Sequence, residues 1–283
     1  MPIKKQLFLN LISFFFAVNA FAIQQIDSVD TDSLEQSKQT NDAIRFADGF
    51  VHTVSSPIRW NGKDWLKVGE VFGGTALLTL VDKPVRHFWQ NRDSKFWDGV
   101  ERAGFHYGKP YAAFAMAGGF YLTGLVIKNE WARETGLMLA TAYLTSGVVQ
   151  TLMKNIPGRA RPGTNVGPYA FKPFSSSPAY HSFPSGHIQV ATISAMVLAE
   201  RVESPLLKAA FYSTAGLTLA SRLYSDAHWV SDMAFGGAIS WFCTKAVVKR
   251  MERNKFQNPL KMKDKIVWNL SPSIQGITLT GCF

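Results

Sequence analysis

Cysteine is nearly absent from this 283-residue chain: only Cys243 and Cys282 occur, and neither stands in a C-x-x-C or comparable spacing. That excludes a cysteine-built metal centre and leaves a single structural disulfide open but unsupported. Acidic residues are scarce relative to basic ones, 20 against 30, for a net charge of +10. Such a balance ordinarily raises nucleic acid as a partner, yet no RNA- or DNA-binding signature accompanies it, and no nucleic-acid partner is expected. Clusters of Asp and Glu with metal-binding spacing are also missing, so no metal and no other cofactor is expected. Period-two alternation of apolar residues is lacking through the middle of the chain, which argues against a sheet there.

What is present is apolar length. Six stretches, at about 66–82, 110–127, 136–153, 187–200, 206–221 and 230–248, read as helices, and Gly, Ala, Ser and Thr recur through them, allowing close helix approach. The predicted fold is an all-α bundle of about six helices. If neighbouring helices run antiparallel, the end of the third stretch, the start of the fourth, the end of the fifth and the start of the sixth all lie at one end. The second and third stretches each hold about 18 uncharged residues, enough to cross a bilayer; Glu70, Lys208 and Lys245 interrupt the first, fifth and sixth, and mean hydropathy is zero.

The ends differ from this core. Residues 1–22 read as a secretory signal: Lys4 and Lys5, an apolar run from Leu7 to Val18, then Ala20-Phe21-Ala22. From Ile23 to about Asn41 the chain is rich in Asp, Ser, Gln and Thr and reads as a flexible linker, so residues 23–63 are taken as linker and entry segment. Residues 64–250 form the helical domain, and 251–283 a basic tail whose last part, from Ile266, reads as one short extended strand. A signal places the protein in a bacterial envelope, periplasmic after cleavage, and the basic run from Lys245 to Lys265 suits an anionic membrane surface. If all six stretches crossed after cleavage, the Lys154 end would face the cytoplasm. That conflict disappears if the first stretch does not cross or if the domain is only membrane-associated; integral insertion in the inner membrane stays open.

Three clusters carry chemistry. Lys154 and Arg161 are separated by six residues in K-N-I-P-G-R-A-R-P, where Pro157 and Gly158 break the helix and turn Arg161 back toward Lys154. Pro162 biases Arg161 toward extended backbone. Pro184-Ser185-Gly186-His187 precedes an apolar run, so a small hydroxyl and free backbone N–H groups meet at a helix start, suited to an anion. In S-R-L-Y-S-D-A-H-W-V-S-D, Arg222 offers a fork of donors for an oxyanion. His228 and Asp232, four apart, would share a helix face, with the carboxylate accepting the imidazole N–H.

K-x6-R-P, P-S-G-H and S-R-x5-H-x3-D together resemble the three signature motifs of the type 2 phosphatidic acid phosphatase and vanadium haloperoxidase superfamily. All eleven specified residues are present and in order. The resemblance implies a metal-independent phosphatase acting on a phosphate monoester or diphosphate, with a lipid phosphate as the favoured substrate. His228 is then the nucleophile, forming a phosphohistidine, Asp232 fixes its tautomer, and His187 is the proton donor to the leaving group. Lys154, Arg161, Ser185, Gly186 and Arg222 would hold the phosphate oxygens. A soluble periplasmic non-specific acid phosphatase, a phosphotransferase, a vanadate-dependent haloperoxidase and a non-catalytic binding protein remain as alternatives. His106 and His181 read as structural or surface residues, Asp226 as a turn residue and Trp229 as packing. Lys109 and Arg86 read as headgroup contacts or solvated cations.

Overall fold

The computed structural model describes residues 32–256, 267–273 and 276–282. The expected signal at 1–22 lies outside those residues, as do the first part of the linker and most of the basic tail beyond Phe256. Helix α1 (Asp32–Val54) is followed by α2 (Gly62–Leu78), α3 (Asp82–Gln90), α4 (Lys95–Tyr107), α5 (Pro110–Val126), α6 (Glu130–Asn155), α7 (Gly186–Glu200), α8 (Pro205–Tyr224) and α9 (Val230–Phe256). The predicted all-α bundle is observed, and each of the six apolar stretches coincides with a helix.

Three helices were not expected. Helix α1 occupies part of the stretch read as linker: its Asp, Ser and Gln residues mask a helix whose Phe46 packs on the core and whose Arg45 reaches Glu134 of α6. The short α3 and α4 mix aromatics with charges and carry strong one-sided amphipathicity, a pattern too brief to stand out beside the long apolar runs. At the other end, the tail expected as one strand is a two-stranded antiparallel hairpin, β1 (Val267–Ser273) with β2 (Gly276–Cys282), in register from Val267 opposite Cys282 to Ser273 opposite Gly276.

Local signals set the helix limits. Asn61 caps α2 through the amides of Lys63 and Asp64, and the Asp64 side chain returns the bond to the Asn61 amide. Asn129 caps α6 and Ser204 caps α8, and Pro110 and Pro205 occupy first helical turns, where a missing N–H costs nothing. Antiparallel pairs α5/α6 and α7/α8 pack with α9 against both α6 and α7. Between them lies one core of Phe120, Trp131, Leu139, Ile193, Val197 and Val247. Small residues make these contacts close: a Cβ on Gly104 would meet the Ser221 Oγ at 2.7 Å, which locks α4 against α8. The packing leaves the C-terminal ends of α6 and α8 and the N-terminal ends of α7 and α9 at one end of the bundle, joined by the loop 156–185.

Among the described residues, one helix, Glu130–Asn155, is long and apolar enough to cross a membrane, and 44% of its most apolar window is buried in the protein. Many large apolar side chains on the flanks of other helices nonetheless face outward, including Phe72, Leu77, Phe114, Leu122, Leu217 and Trp241.

Candidate active site

The loop between α6 and α7 is folded by its own backbone. Gly158 adopts a left-handed conformation (φ +57°) against the Lys172 carbonyl, where a side chain would collide. The Arg159–Phe171 bridge closes the loop, and the Arg161 amide donates to Ala179 O. Arg161 is thereby turned inward, and its guanidinium donates to three carbonyls, those of Pro178, His181 and Ala227. All its partners are neutral. The Ala227 contact ties the first motif to the third, and the Ser185 amide, donating to Asp232 O at 3.3 Å, ties the second to the third.

The sequence-predicted residues therefore meet. His187 and His228 lie with ring centroids 6.4 Å apart, and His187 stacks on Phe105 at 5.6 Å. Gly108 allows α4 and α5 to close over His187, since a Cβ there would sit 2.7 Å from the His187 Cβ. Lys154 and Arg161 stand close enough to act on both rings, and Arg222 on His187, each adding to the effect of burial. Burial, then Arg222, Lys109, Arg161 and Lys154, pull His187 down to about 3. His228, fully buried, is pushed well below its ordinary value by burial first, then by Arg161 and Lys154. Lys154 itself is lowered to about 8 by burial and by Arg161. A proton donor working near neutrality needs a higher value than this, and His187 is held low first by burial and then by the four cations around it.

Two buried polar atoms here have no hydrogen-bond partner, Ser185 Oγ and His187 Nε2. Buried hydroxyls and imidazole nitrogens are normally satisfied. Gly186 and His187 open α7, whose first amides have no intrahelical acceptor. Hydroxyl, ring nitrogen, amides and cations form a donor set matched to a tetrahedral oxyanion. Among the described residues there is no group of three or more His, Cys, Asp or Glu side chains able to hold a metal ion.

One expected contact is corrected. His228 Nδ1 lies 4.0 Å from Asp232 Oδ2, beyond hydrogen-bond distance, and bonds instead to the backbone carbonyl of Ser182 at 2.7 Å. The reason is that His228 precedes α9, so the helical i, i+4 face is not formed, and Asp232 is fully engaged elsewhere. It accepts from Arg159 Nη1 (2.6 Å), Ser182 Oγ (2.5 Å) and the Trp229 amide (2.9 Å). Burial pushes the Asp232 carboxyl up, while these donors pull it back toward the ionised form. Asp232 thus reaches His228 through Ser182, whose hydroxyl binds the carboxylate and whose carbonyl binds the ring.

Behind this lies a layer that motif reading missed. Arg159, 3% exposed, also donates to Asp82 Oδ2 (2.7 Å), and Asp82, 1% exposed, accepts from the Ser231 amide (3.0 Å) and hydroxyl (2.7 Å). Arg159 was readable as a second arginine inside the first motif's gap. Asp82 and Ser182 carried no sequence signal, because their partners lie far away in the chain.

The remaining candidates fall as follows. Arg86, expected to be solvated or at a headgroup, forks onto Asp226 at 2.7 and 2.6 Å. Asp226 is a turn residue with φ +55°, and Trp229 is packed, with Nε1 donating to Ala160 O. His181 bonds Ser175 O and His106 bonds the Tyr111 hydroxyl. Lys109 sits over the Phe105 ring at 4.2 Å, beside His187. Cys243 is a free thiol.

Comparison with known proteins agrees with the motifs. A family model described as the PAP2 superfamily matches residues 135–256. Two curated relatives, each named lipid A 1-phosphatase, are similar to the chain: one from Rhizobium etli is 37% identical over 113 residues, 38% of this chain and 47% of its own length. The other, from Rhizobium johnstonii, is 36% identical over 110 residues, 38% of this chain and 44% of its own length. The chain thus spans about half the length of these relatives. Among solved structures, Aquifex aeolicus LpxE aligns over 60% of this chain and 95% of its own, with a TM-score of 0.47 and 21% identity. A transmembrane PAP2-type phosphatidylglycerolphosphate phosphatase from Bacillus subtilis aligns over 69% and 98%, with a TM-score of 0.46 and 18% identity. Over residues 135–256 the chain is matched by the PAP2 superfamily, and the resemblance carried by its three motifs stands at the level of that family.

Proposed function

We propose that this protein is a metal-independent phosphatase of a lipid phosphate, working through a phosphohistidine on His228. The observation that carries the reading is the donor set around His187 and His228, with Ser185 Oγ and His187 Nε2 buried and unpartnered. Because the Ser182 carbonyl can only accept, His228 Nδ1 holds the proton and Nε2 keeps its lone pair. Nε2 attacks phosphorus in line; the bond to the leaving oxygen breaks as His187 gives that oxygen a proton. Water then attacks the phosphohistidine, His187 takes its proton back, and phosphate is released. Lys154, Arg161, Arg222, Ser185 and the Gly186 amide hold the non-bridging oxygens and offset the charge of the transition state.

A substrate dianion also resolves the His187 titration. Burial and the surrounding cations lower the imidazole, and two negative charges placed among those cations raise it again, so binding itself supplies the protonated acid. The lipid class is supported by the relatives named lipid A 1-phosphatase and by the outward apolar side chains on the helix flanks. Membrane association in the bacterial envelope, after removal of residues 1–22, belongs to the same proposal, as does the helical domain at 64–250.

The test is phosphate release from lipid phosphate in mixed micelles with a chelator present, comparing wild type with His228→Ala. Release by wild type and none by the variant is expected. Equal release by both overturns the histidine nucleophile; release by neither from folded protein overturns the lipid-phosphate substrate.

A further inference from the structure

At the end of the bundle away from the motifs, α1, the turn after it, α2 and the last turns of α9 enclose a cleft of about 330 Å³. Its walls carry Arg59, Lys249, Arg250 and Arg253, with Ser56 and Trp60 between them. Lys249 stands seventeen positions after Asp232 along α9, about 26 Å at 1.5 Å per residue, so no single phosphate serves both sites. The cations here are only partly balanced. Arg250 forks onto Asp48 at 2.7 Å through both nitrogens. Arg59 is held by neutral groups, the His52 carbonyl and Ser55 Oγ. Asp64, the acid in the lining, is committed to capping α2 and to Lys67. Burial, with Arg250 and Arg59 adding to it, holds the His52 imidazole below its ordinary value, which reports the same positive field.

Apolar surface adjoins this charge. Ile58 is 87% exposed, Trp60 and Trp65 meet edge to face at 5.0 Å, and Leu66, Phe72 and Leu77 continue outward along α2, a helix with no buried residue. Tryptophan beside basic residues suits the headgroup level of a membrane, and an apolar track beside a phosphate-sized charge suits an acyl chain. A free anion would have no use for that track.

We propose that this cleft is a second phosphate-binding site, distinct from the catalytic one, which takes the headgroup phosphate of an anionic lipid. The phosphate sits between Arg59, Lys249 and Arg253, and the acyl chains run along the outward face of α2. Binding here fixes the protein on an anionic lipid surface and does not require hydrolysis.

The experiment uses the full chain in neutral detergent and follows its melting temperature while phosphatidylglycerol, phosphatidylcholine or inorganic phosphate is added. Phosphatidylglycerol is expected to stabilise the wild type and phosphatidylcholine not to. The doubly substituted Arg59→Gln/Arg253→Gln protein, altered only at exposed positions, should need about 10- to 30-fold more phosphatidylglycerol for the same effect. Its phosphate release should stay within about twofold of wild type, as expected for sites about 26 Å apart with no shared residue. Equal stabilisation of both proteins by phosphatidylglycerol overturns the cleft as the site. Stabilisation of the wild type by inorganic phosphate as strongly as by the lipid, lost in the double variant, overturns the lipid as the ligand. Because the readout is binding, loss of catalysis by His228→Ala leaves this outcome unaffected, so the two readings fail separately.

Discussion

Arg159 and Arg161 stand two residues apart in the α6–α7 loop, yet the regions they serve balance charge in opposite ways. Arg159 belongs to a buried wall, where it faces the carboxylates of Asp82 and Asp232 at 2.7 and 2.6 Å and where Ser182 and Ser231 fill the remaining lone pairs. Arg161 belongs to the mouth of the site, where it meets only carbonyls and stands with Lys154 and Arg222 around two neutral imidazoles. A wall whose charges cancel holds shape without any ligand. A mouth with surplus cations and unsatisfied donors holds its shape against repulsion and gains from an anion. The same side chain, two positions along, is thus paired with carboxylates in one place and, in the function proposed above, a binding group in the other.

The largest effect should come from unbalancing the wall. Arg159→Met leaves two buried carboxylates without their shared partner, and breaking a buried pair in this way costs about 3 to 5 kcal/mol. Urea unfolding should show that loss. Arg161→Gln, by contrast, should unfold close to wild type while phosphate release falls by about 2 to 4 kcal/mol in activation free energy, the scale of one lost oxyanion donor. Equal destabilisation by both substitutions would erase the distinction between wall and mouth.

That distinction was half legible in the sequence. Lys154, Arg161, Ser185, His187, Arg222 and His228 were readable because oxyanion chemistry demands particular residue types at short spacing, and they do converge. The wall was not. Asp82 and Ser231 are 149 residues apart, and Ser182 and Asp232 are 50 apart, so their meeting depends on how α3, the loop and α9 pack. Even the four-residue spacing of His228 and Asp232 misled, since it implies contact only inside a helix and His228 lies before one. The six apolar helices were visible from composition. Helix α1 was hidden by polar residues, and the hairpin by the brevity of its strands.

A middle-sized effect should appear with pH. An unfolded histidine titrates near 6.5, whereas His187 in the folded mouth is held at about 3. Below pH 6.5 the unfolded chain takes up a proton that the folded site refuses, so stability falls with pH, and the contribution levels off only near pH 3. The slope from this one residue approaches about 1.4 kcal/mol per pH unit once pH is well below 6.5, which amounts to about 1.6 kcal/mol between pH 6.5 and 5. Denaturation at several pH values should show the slope diminished in His187→Gln. Sulfate, dianionic throughout this range, should also reduce it in the wild type by supplying the missing counter-charge. A slope unchanged by the substitution would assign the acid sensitivity to other groups.

The smallest effect concerns Glu101, a carboxylate that pairs with a cation of the mouth. Glu101 Oε1 accepts from Arg222 Nη2 at 2.6 Å, with the glutamate side chain 26% exposed, so part of the fork that would grip a phosphate is already occupied by an anion. Arg222 keeps its other anchors, the Ser221 hydroxyl at 2.7 Å and the Glu101 carbonyl at 3.3 Å, whatever stands at the end of that side chain. Glu101→Gln therefore removes the competing charge and leaves the arginine in place. A partly exposed pair of this kind is worth about 0 to 1 kcal/mol, so inhibition by inorganic phosphate should tighten about two- to fivefold with little change in kcat. Weaker phosphate inhibition would mean the opposite balance: Glu101 would then serve mainly to aim Arg222, and one carboxylate of the mouth would belong with the charge-matched wall.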